Sequence, residues 1–176
     1  MKQTLIIYSS NTGNTRELAE QIYAGVGEDQ VLACIDVKEF YKMKEEESRT
    51  ILSQADYIYA GFWTDKGSCE EQMSQFLKNL KNKNVFLYGT AGFGGEAPYF
   101  EQILSRVKSN LDASNTIIGT YMCQGKMPAS VRARYESMLD KNPKMQQMIE
   151  NYDRALSHPN QEDISLLLET VKKSRM

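Results

Sequence analysis

A dense row of small polar side chains occupies residues 9–15, where the sequence reads SSNTGNT. The row follows an apolar run that ends at Tyr8 and precedes a segment with helical spacing, whereas a plain turn needs only two or three such residues. A loop that enters a helix N-terminus offers unpaired N–H groups and the positive end of the helix dipole, and both attract phosphate. Further hydroxyl and amide donors lie at Ser10, Asn11, Thr12, Asn14 and Thr15, with Gly13 between them.

The absence of certain residues from this loop restricts the class of phosphate compound that it is expected to bind. It has no Lys in a GxxxxGK[ST] arrangement, so a nucleoside triphosphate with Mg²⁺ is not indicated. It also lacks the Cys and the CxxxxxR spacing of a phosphatase loop. A phosphate monoester bound without a cationic partner fits better, and we expect Arg16 to point to solvent from the first helical turn. A polar strand–helix turn without a ligand is the alternative.

Two other unusual stretches each follow an apolar run. The string GFWTDKGS at residues 61–68 contains Trp63, the only tryptophan of the chain. The string GTAGFGGEAPYF at residues 89–100 contains four glycines, which let a backbone approach a flat ligand closely. In an open parallel sheet, ligands bind beyond the carboxyl ends of the strands. Three such stretches therefore predict one shared site.

The elements that must position these loops alternate between strand and helix. Segments with helical spacing separate the apolar runs, including a weaker one at 44–55, and Ser68 and Glu71 have capping-box spacing before another. Apolar runs without strict alternation are typical of parallel strands that are covered on both faces. The predicted strands are Thr4–Tyr8, Val31–Ile35, Tyr57–Gly61, Val85–Tyr88 and Thr116–Tyr121. This order predicts a doubly wound α/β sandwich.

The C-terminal quarter adds helices to this plan. Residues 128–140 and 143–156 have amphipathic helical patterns, and a last helix carries apolar residues from Ile164 to Val171. We expect a single domain over residues 1–176, with a helical insertion at about 127–157 before the last helix. The methionines and basic residues of the insertion suit either plain packing or partner docking.

Bulk properties exclude several classes of protein. The net charge of −2 argues against a nucleic-acid partner, and no apolar stretch is long enough to span a membrane. The N-terminus lacks the layout of a signal peptide, and the three cysteines are far apart, so we expect a cytoplasmic protein without disulfides or a metal site. The only histidine is His158, and no residue constellation indicates hydrolysis, so no catalytic residue is predicted.

The loop SNTGNT at residues 10–15 resembles the phosphate loop of the flavodoxin family, roughly [ST]-x-T-G-x-T after the first strand. The resemblance implies a flavodoxin-like three-layer sandwich with a five-stranded parallel sheet in the order 2-1-3-4-5. It also implies FMN as a non-covalent cofactor, with its phosphate on residues 10–15.

The resemblance assigns the two other stretches to the flavin ring. Trp63 would stack on the ring, although a core tryptophan capping the sheet end is the alternative, and Gly67 could allow a peptide flip that follows flavin protonation. Phe93, or instead Tyr99, would contact the other face, but the long acidic form of this loop with a tyrosine is absent. The implied ring contacts are Phe62, Trp63, Thr64, Asp65, Lys66, Gly67, Thr90, Ala91, Gly92, Phe93, Gly94 and Gly95.

The strings GFWTDKGS, GTAG, CQGKMP and HPNQEDI resemble a bacterial subgroup of flavodoxin-like proteins, the BilS type, some of which are encoded beside bilirubin reductases. This implies an accessory flavoprotein. Unlike the strongly acidic ordinary flavodoxins, this chain has 21 Lys and Arg against 23 Asp and Glu. Lys66 either stabilises reduced flavin or extends into water, and Gln124 or Lys126 could reach the cofactor or a partner.

Three functions remain open from the sequence. The first is an electron-transfer protein that passes electrons through FMN to a redox partner protein. The second is a flavin-dependent reductase that acts directly on a small acceptor such as a quinone or a tetrapyrrole. The third is a redox-silent binding module with the flavodoxin fold.

Overall fold

A computed structural model of the protein describes residues 1–176 and contains six strands. Five of them form a parallel sheet in the order β2-β1-β3-β5-β6, while β4 pairs antiparallel with the end of β3. The strands are β1 (Thr4–Tyr8), β2 (Val31–Asp36), β3 (Tyr57–Asp65), β4 (Ser68–Cys69), β5 (Asn84–Ala91) and β6 (Thr116–Gln124). The predicted α/β sandwich and the order of its five parallel strands are confirmed. The two-residue β4 was not predicted, and because it is counted, the predicted fourth and fifth strands are numbered β5 and β6.

Eight helices flank or follow these strands. They are α1 (Asn14–Val26), α2 (Val37–Lys42), α3 (Glu45–Gln54), α4 (Glu71–Asn79), α5 (Ala97–Lys108), α6 (Ala129–Met138), α7 (Met145–Ala155) and α8 (Gln161–Ser174). The weak pattern at 44–55 does form a helix, whereas α2 was missed. Asp36 caps α2, because its carboxylate accepts a hydrogen bond from the Lys38 N–H at 2.8 Å. None of the eight helices is both long and apolar enough to cross a bilayer.

The sheet has an apolar layer on each face. One layer joins the sheet to α2, α4 and α5, and the other joins it to α1 and α8. Side chains of β1 alternate between them, with Leu5 and Ile7 in the first layer and Ile6 in the second. All three are fully buried, so β1 is apolar on both faces. This double coverage explains why the strands appear in the sequence as continuous apolar runs.

Helices α6 and α7 form a pair outside these layers, at the carboxyl end of β6. Helix α6 has no buried residue, whereas α7 buries Ile149, Tyr152 and Ala155. The Arg132 guanidinium joins the two helices, because Nε and Nη2 donate to the Asp153 carboxylate at 2.9 and 3.2 Å. The pair therefore docks mainly through α7, and α6 is held by its neighbour.

The N-terminus of α4 differs from the prediction. Ser68 lies in β4 and makes no capping bond, so the expected capping box with Glu71 is wrong. Glu70 is the N-cap instead, since its carboxylate accepts the N–H groups of Gln72 and Met73, both at 2.7 Å. The short pairing of β4 with β3 moves the helix start two residues along the chain.

We expect Glu70→Ala to lower the free energy of unfolding by about 1 kcal/mol, because two amides of the first turn lose their acceptor. Ser68→Ala is the matched control and should change it much less. Urea denaturation followed by circular dichroism measures both. A larger loss for Ser68→Ala would show that the cap is assigned to the wrong residue.

Candidate functional site

The loop from Ser10 to Thr15 joins β1 to α1 and presents free backbone donors. Its start is fixed by the Ser9 N–H, which donates to the Gly61 carbonyl at 2.9 Å. Gly13 is the N-cap of α1 with φ of 93°, a left-handed conformation that strains any other residue. No backbone N–H of residues 10–15 donates to an acceptor within the protein, whereas the next one, that of Arg16, donates to Ser10 Oγ at 3.3 Å. The loop is therefore a row of unpaired donors at the positive end of a helix.

Side chains of this loop tie it to neighbouring strands. Asn14 Nδ2 donates to the Lys126 carbonyl at 2.8 Å and to Thr12 Oγ1 at 3.0 Å. Thr15 Oγ1 lies 3.0 Å from Thr90 Oγ1 in a buried contact. Two other buried polar atoms, Ser9 Oγ and Asn14 Oδ1, have no hydrogen-bond partner. An unpaired buried polar atom costs about 1–3 kcal/mol, so this end of the sheet suits a polar ligand that satisfies it.

The second predicted stretch is a tight hairpin rather than an open loop. Strand β3 continues to Asp65, which pairs with Ser68 of β4, and two residues turn the chain between them. Lys66 and Gly67 both have positive φ, 50° and 80°, as in the type I′ turns of two-residue hairpins. Arg106 Nη1 donates to the Gly67 carbonyl at 3.1 Å, so α5 holds the turn from outside.

The glycine-rich stretch after β5 is held from β3 and from α7. Thr64 Oγ1 donates to the Thr90 carbonyl at 2.8 Å. Asn151 Nδ2 donates to the Gly92 carbonyl at 2.9 Å, and the Gly94 N–H donates to Asn151 Oδ1 at 3.1 Å. Phe93 lies at the tip of this stretch, 47% exposed, with its ring edge-on to that of Tyr99.

The three stretches enclose one cavity of about 430 Å³. Eleven of the predicted site residues line it: Asn11, Thr12, Asn14, Trp63, Thr64, Lys66, Gly67, Thr90, Ala91, Gly92 and Phe93. Seven predicted residues do not line it: Ser10, Gly13, Thr15, Phe62, Asp65, Gly94 and Gly95. Phe62 is fully buried in the core. Trp63 is half-buried at the cavity wall and does not join the core.

The rest of the cavity lining comes from residues outside the predicted site set. These residues are Tyr99, Gly125, Lys126, Met127, Pro128, Arg134 and Tyr135. The sequence suggests two of them, Lys126 as a residue that could reach the cofactor or a partner and Tyr99 as an alternative to Phe93 at the ring. The others belong to the segment after β6 and to α6, which the sequence places 110 or more residues after the first loop. No local pattern connects such distant segments.

Charge in the cavity lining has one sign. Lys66, Lys126 and Arg134 line it, and none of them forms an ion pair within the protein. No Asp or Glu lines it, although Asp65 lies on the same turn as Lys66. The cavity is therefore electropositive in a chain whose net charge is −2.

The fold is that of a flavin-binding α/β class, and the chain belongs to the flavodoxin family. The family model described as Flavodoxin domain matches residues 5–172. The flavodoxin-like domain-containing protein BilS of Clostridium symbiosum (strain WAL-14163) is 38% identical over an alignment of 169 positions, and the match covers 91% of this chain and 89% of that protein. BilS of Clostridioides difficile (strain CD3) is 31% identical over an alignment of 165 positions, with coverages of 92% and 90%. The resemblance inferred from the motifs is confirmed.

A solved structure with the same fold is general stress protein 14 from Treponema denticola, determined in complex with FMN. It superposes with a TM-score of 0.51 at 12% identity, covering 95% of this chain and 98% of that one. At this identity the similarity concerns the fold.

None of the three cysteines is an activated nucleophile. Cys69 and Cys123 are buried, and Cys34 is half-buried. Burial raises the pKa of the Cys34 thiol to about 11. Burial also raises the pKa of Cys69 and of Cys123, and the Asp163 carboxylate adds to the effect at Cys123. All three thiols stay protonated near neutral pH.

Alkylation tests this protonation state. Because the thiolate is the reactive form, Cys34 should react with iodoacetamide at pH 8 about 100-fold more slowly than an unperturbed cysteine. Its rate should keep rising with pH up to the pKa near 11. Peptide mass spectrometry after short exposures measures the rate, with the urea-unfolded protein as the control. Rapid labelling of native Cys34 at pH 8 would contradict the assignment.

Proposed function

We propose that this protein binds FMN non-covalently and passes electrons through it to a redox partner protein. The observation that carries the proposal is the row of unpaired amides at residues 10–15 beside a cavity walled by Trp63 and the glycine-rich stretch. Bound FMN would supply one- and two-electron transfer, while the protein binds it, tunes it and excludes water. The family membership and the FMN complex of the structural relative support the same cofactor.

The phosphate end is assigned to the loop at residues 10–15. Its free N–H groups and the helix dipole favour a dianion without a cation in the loop itself. The Asn14 amide does not serve as a phosphate donor, because both of its observed bonds point to Thr12 and Lys126. The Asn14 side chain thus orients the loop.

The ring end is assigned to the hairpin turn and the glycine-rich stretch. The half-buried indole of Trp63 offers a stacking face. Thr64, Lys66 and Gly67 would edge the ring, and Arg106 holds the backbone of this turn. Thr90, Ala91, Gly92 and Phe93 would cover the other side, and the half-exposed ring of Phe93 contacts that of Tyr99. Asp65, Gly94, Gly95 and the core residue Phe62 do not line the cavity and are not ring contacts in this assignment.

A second candidate is a reductase that acts directly on a small acceptor. Met127, Arg134 and Tyr135 favour it, since they line the same cavity as Trp63 and would bound a space beside the flavin. Stopped-flow reduction separates the two candidates. A carrier is reduced quickly only when a reductase partner is present, whereas a reductase is oxidised rapidly by quinone or tetrapyrrole after reduction by NAD(P)H alone. If the purified protein takes up no FMN, the third function, a redox-silent binding module, is indicated instead.

Flavin titration tests the cofactor and its phosphate site together. Purified protein should take up FMN. Thr12→Val should weaken FMN binding about tenfold, because the Thr12 hydroxyl, whose bond to the Lys126 carbonyl is long at 3.3 Å, can turn to the phosphate. A hydrogen bond to a charged group contributes about 1.5–3 kcal/mol. Riboflavin lacks the phosphate, so its affinity should stay the same. Quenching of flavin fluorescence measures both affinities, with Thr50→Val on α3 as the control. An FMN affinity no higher than that for riboflavin would refute the phosphate assignment.

Redox titration tests the role of Lys66. We expect Lys66→Gln to lower the hydroquinone potential by tens of millivolts, because a cation at the cavity stabilises the added negative charge. Lys108→Gln, on the last turn of α5 and outside the cavity lining, is the matched control for loss of one charge. Equal potentials for both variants and the unmodified protein would show that the Lys66 ammonium is fully screened by water.

A further inference from the structure

Asn151 on α7 is a polar side chain in the inserted helix pair, and it is only 6% exposed. Its amide makes three hydrogen bonds. Besides the bonds to the Gly92 carbonyl and from the Gly94 N–H, its Oδ1 accepts from Gln124 Nε2 at 3.0 Å. All three lead to the glycine-rich stretch or to the end of β6, so this amide links the insertion to the site.

The backbone of residues 92–95 has almost no other support. No backbone–backbone hydrogen bond involves these four residues. Besides the two bonds to Asn151, the only further one is from Gln124 Nε2 to the Gly92 carbonyl at 3.4 Å. Glycine loses more conformational freedom on ordering than any other residue, so a stretch with three glycines in four residues needs such restraints. Asn151 supplies the two shorter ones.

Gly92 and Phe93 line the cavity proposed for flavin, whereas Asn151 does not. Asn151 instead lies behind the stretch, where it lines a second cavity together with Gln124 and Arg154. It thus touches the stretch from the side opposite the proposed flavin.

We infer that Asn151 is a positioning residue of the flavin site: its amide fixes residues 92–94 in the conformation that receives the ring. The inference rests on the proposed flavin binding and assigns the α6–α7 pair a part in it. Its effect falls on the ring end alone, because Asn151 makes no contact with residues 10–15.

Other contacts also hold α7 in place, so the Asn151 amide can be removed without releasing the helix. Ile149, Tyr152 and Ala155 are buried at 6%, 4% and 0% exposure. The Arg132–Asp153 ion pair joins α7 to α6 and touches no residue of the glycine-rich stretch. Breaking that pair therefore provides a matched control for general weakening of the insertion.

The test compares Asn151→Leu with Arg132→Gln in the full chain. Leucine keeps the number and branching of the side-chain heavy atoms of asparagine but forms no hydrogen bond, so the Gly94 N–H loses its partner and the Gly92 carbonyl loses its shorter one. Asn151→Leu should weaken the binding of FMN and of riboflavin by the same factor, about tenfold or more, and leave the ratio of the two affinities unchanged. Arg132→Gln should lower the melting temperature and change both affinities much less than Asn151→Leu does.

Amide hydrogen exchange of the flavin-free protein gives an independent readout. Exchange at Gly94 should accelerate in Asn151→Leu and not in Arg132→Gln. Equal flavin affinities and unchanged exchange in a folded Asn151→Leu protein would overturn the inference. If Asn151→Leu does not fold, Gln124→Leu should reduce the affinities for FMN and for riboflavin by one common, smaller factor. Unchanged affinities in Gln124→Leu would equally overturn the inference. An unmodified protein that binds no flavin refutes the proposed function instead, and the exchange measurement still decides the role of Asn151.

Discussion

The structure depends on one constraint: the central strands β1, β3 and β5 are buried on both faces, so polar groups gather where these strands end. Tyr8, Gly61, Tyr88 and Tyr121 form one row across β1, β3, β5 and β6. Beyond this row each strand leads into one wall of the cavity. The register of the sheet thus brings together residues that are more than a hundred positions apart, before any site contact forms.

Small residues let these walls approach one another. A Cβ at Gly61 would collide with the ring of Tyr88, and one at Gly125 would lie 2.5 Å from Asn14 Nδ2. The second contact matters most for the site, because Gly125 precedes the Lys126 carbonyl that accepts from Asn14. Close packing at β6 therefore holds the loop at residues 10–15 by its side chains and leaves its backbone amides free for a ligand. The glycine-rich stretch also has a close neighbour, since a Cβ at Gly92 would collide with the side chain of Met127, and α7 adds the hydrogen bonds that hold its backbone.

The sequence predicts what local patterns determine. Apolar runs and their order predict the sheet, and a short motif after β1 predicts the first wall of the cavity. It does not predict the hairpin at Lys66 and Gly67, because a two-residue strand has no periodicity to detect. Nor does it reveal contacts such as Asn14 with Lys126 or Asn151 with Gly92, whose partners lie 112 and 59 residues apart. For α2 a signal was present, since Asp36 is a favourable N-cap directly after an apolar run.

The residues that distinguish this site lie mostly outside the motif that identifies the family. The loop at residues 10–15 offers backbone donors and no cation, so its chemistry is common to any chain with that motif. Lys66, Lys126 and Arg134 come from the hairpin, the segment after β6 and α6, and they give the cavity its positive charge. A flavin phosphate bound at residues 10–15 and these three cations would act on one small cavity, where screening by water is incomplete. The fold thus provides a place for the flavin, while the hairpin after β3 and the segments after β6 set the charge around it.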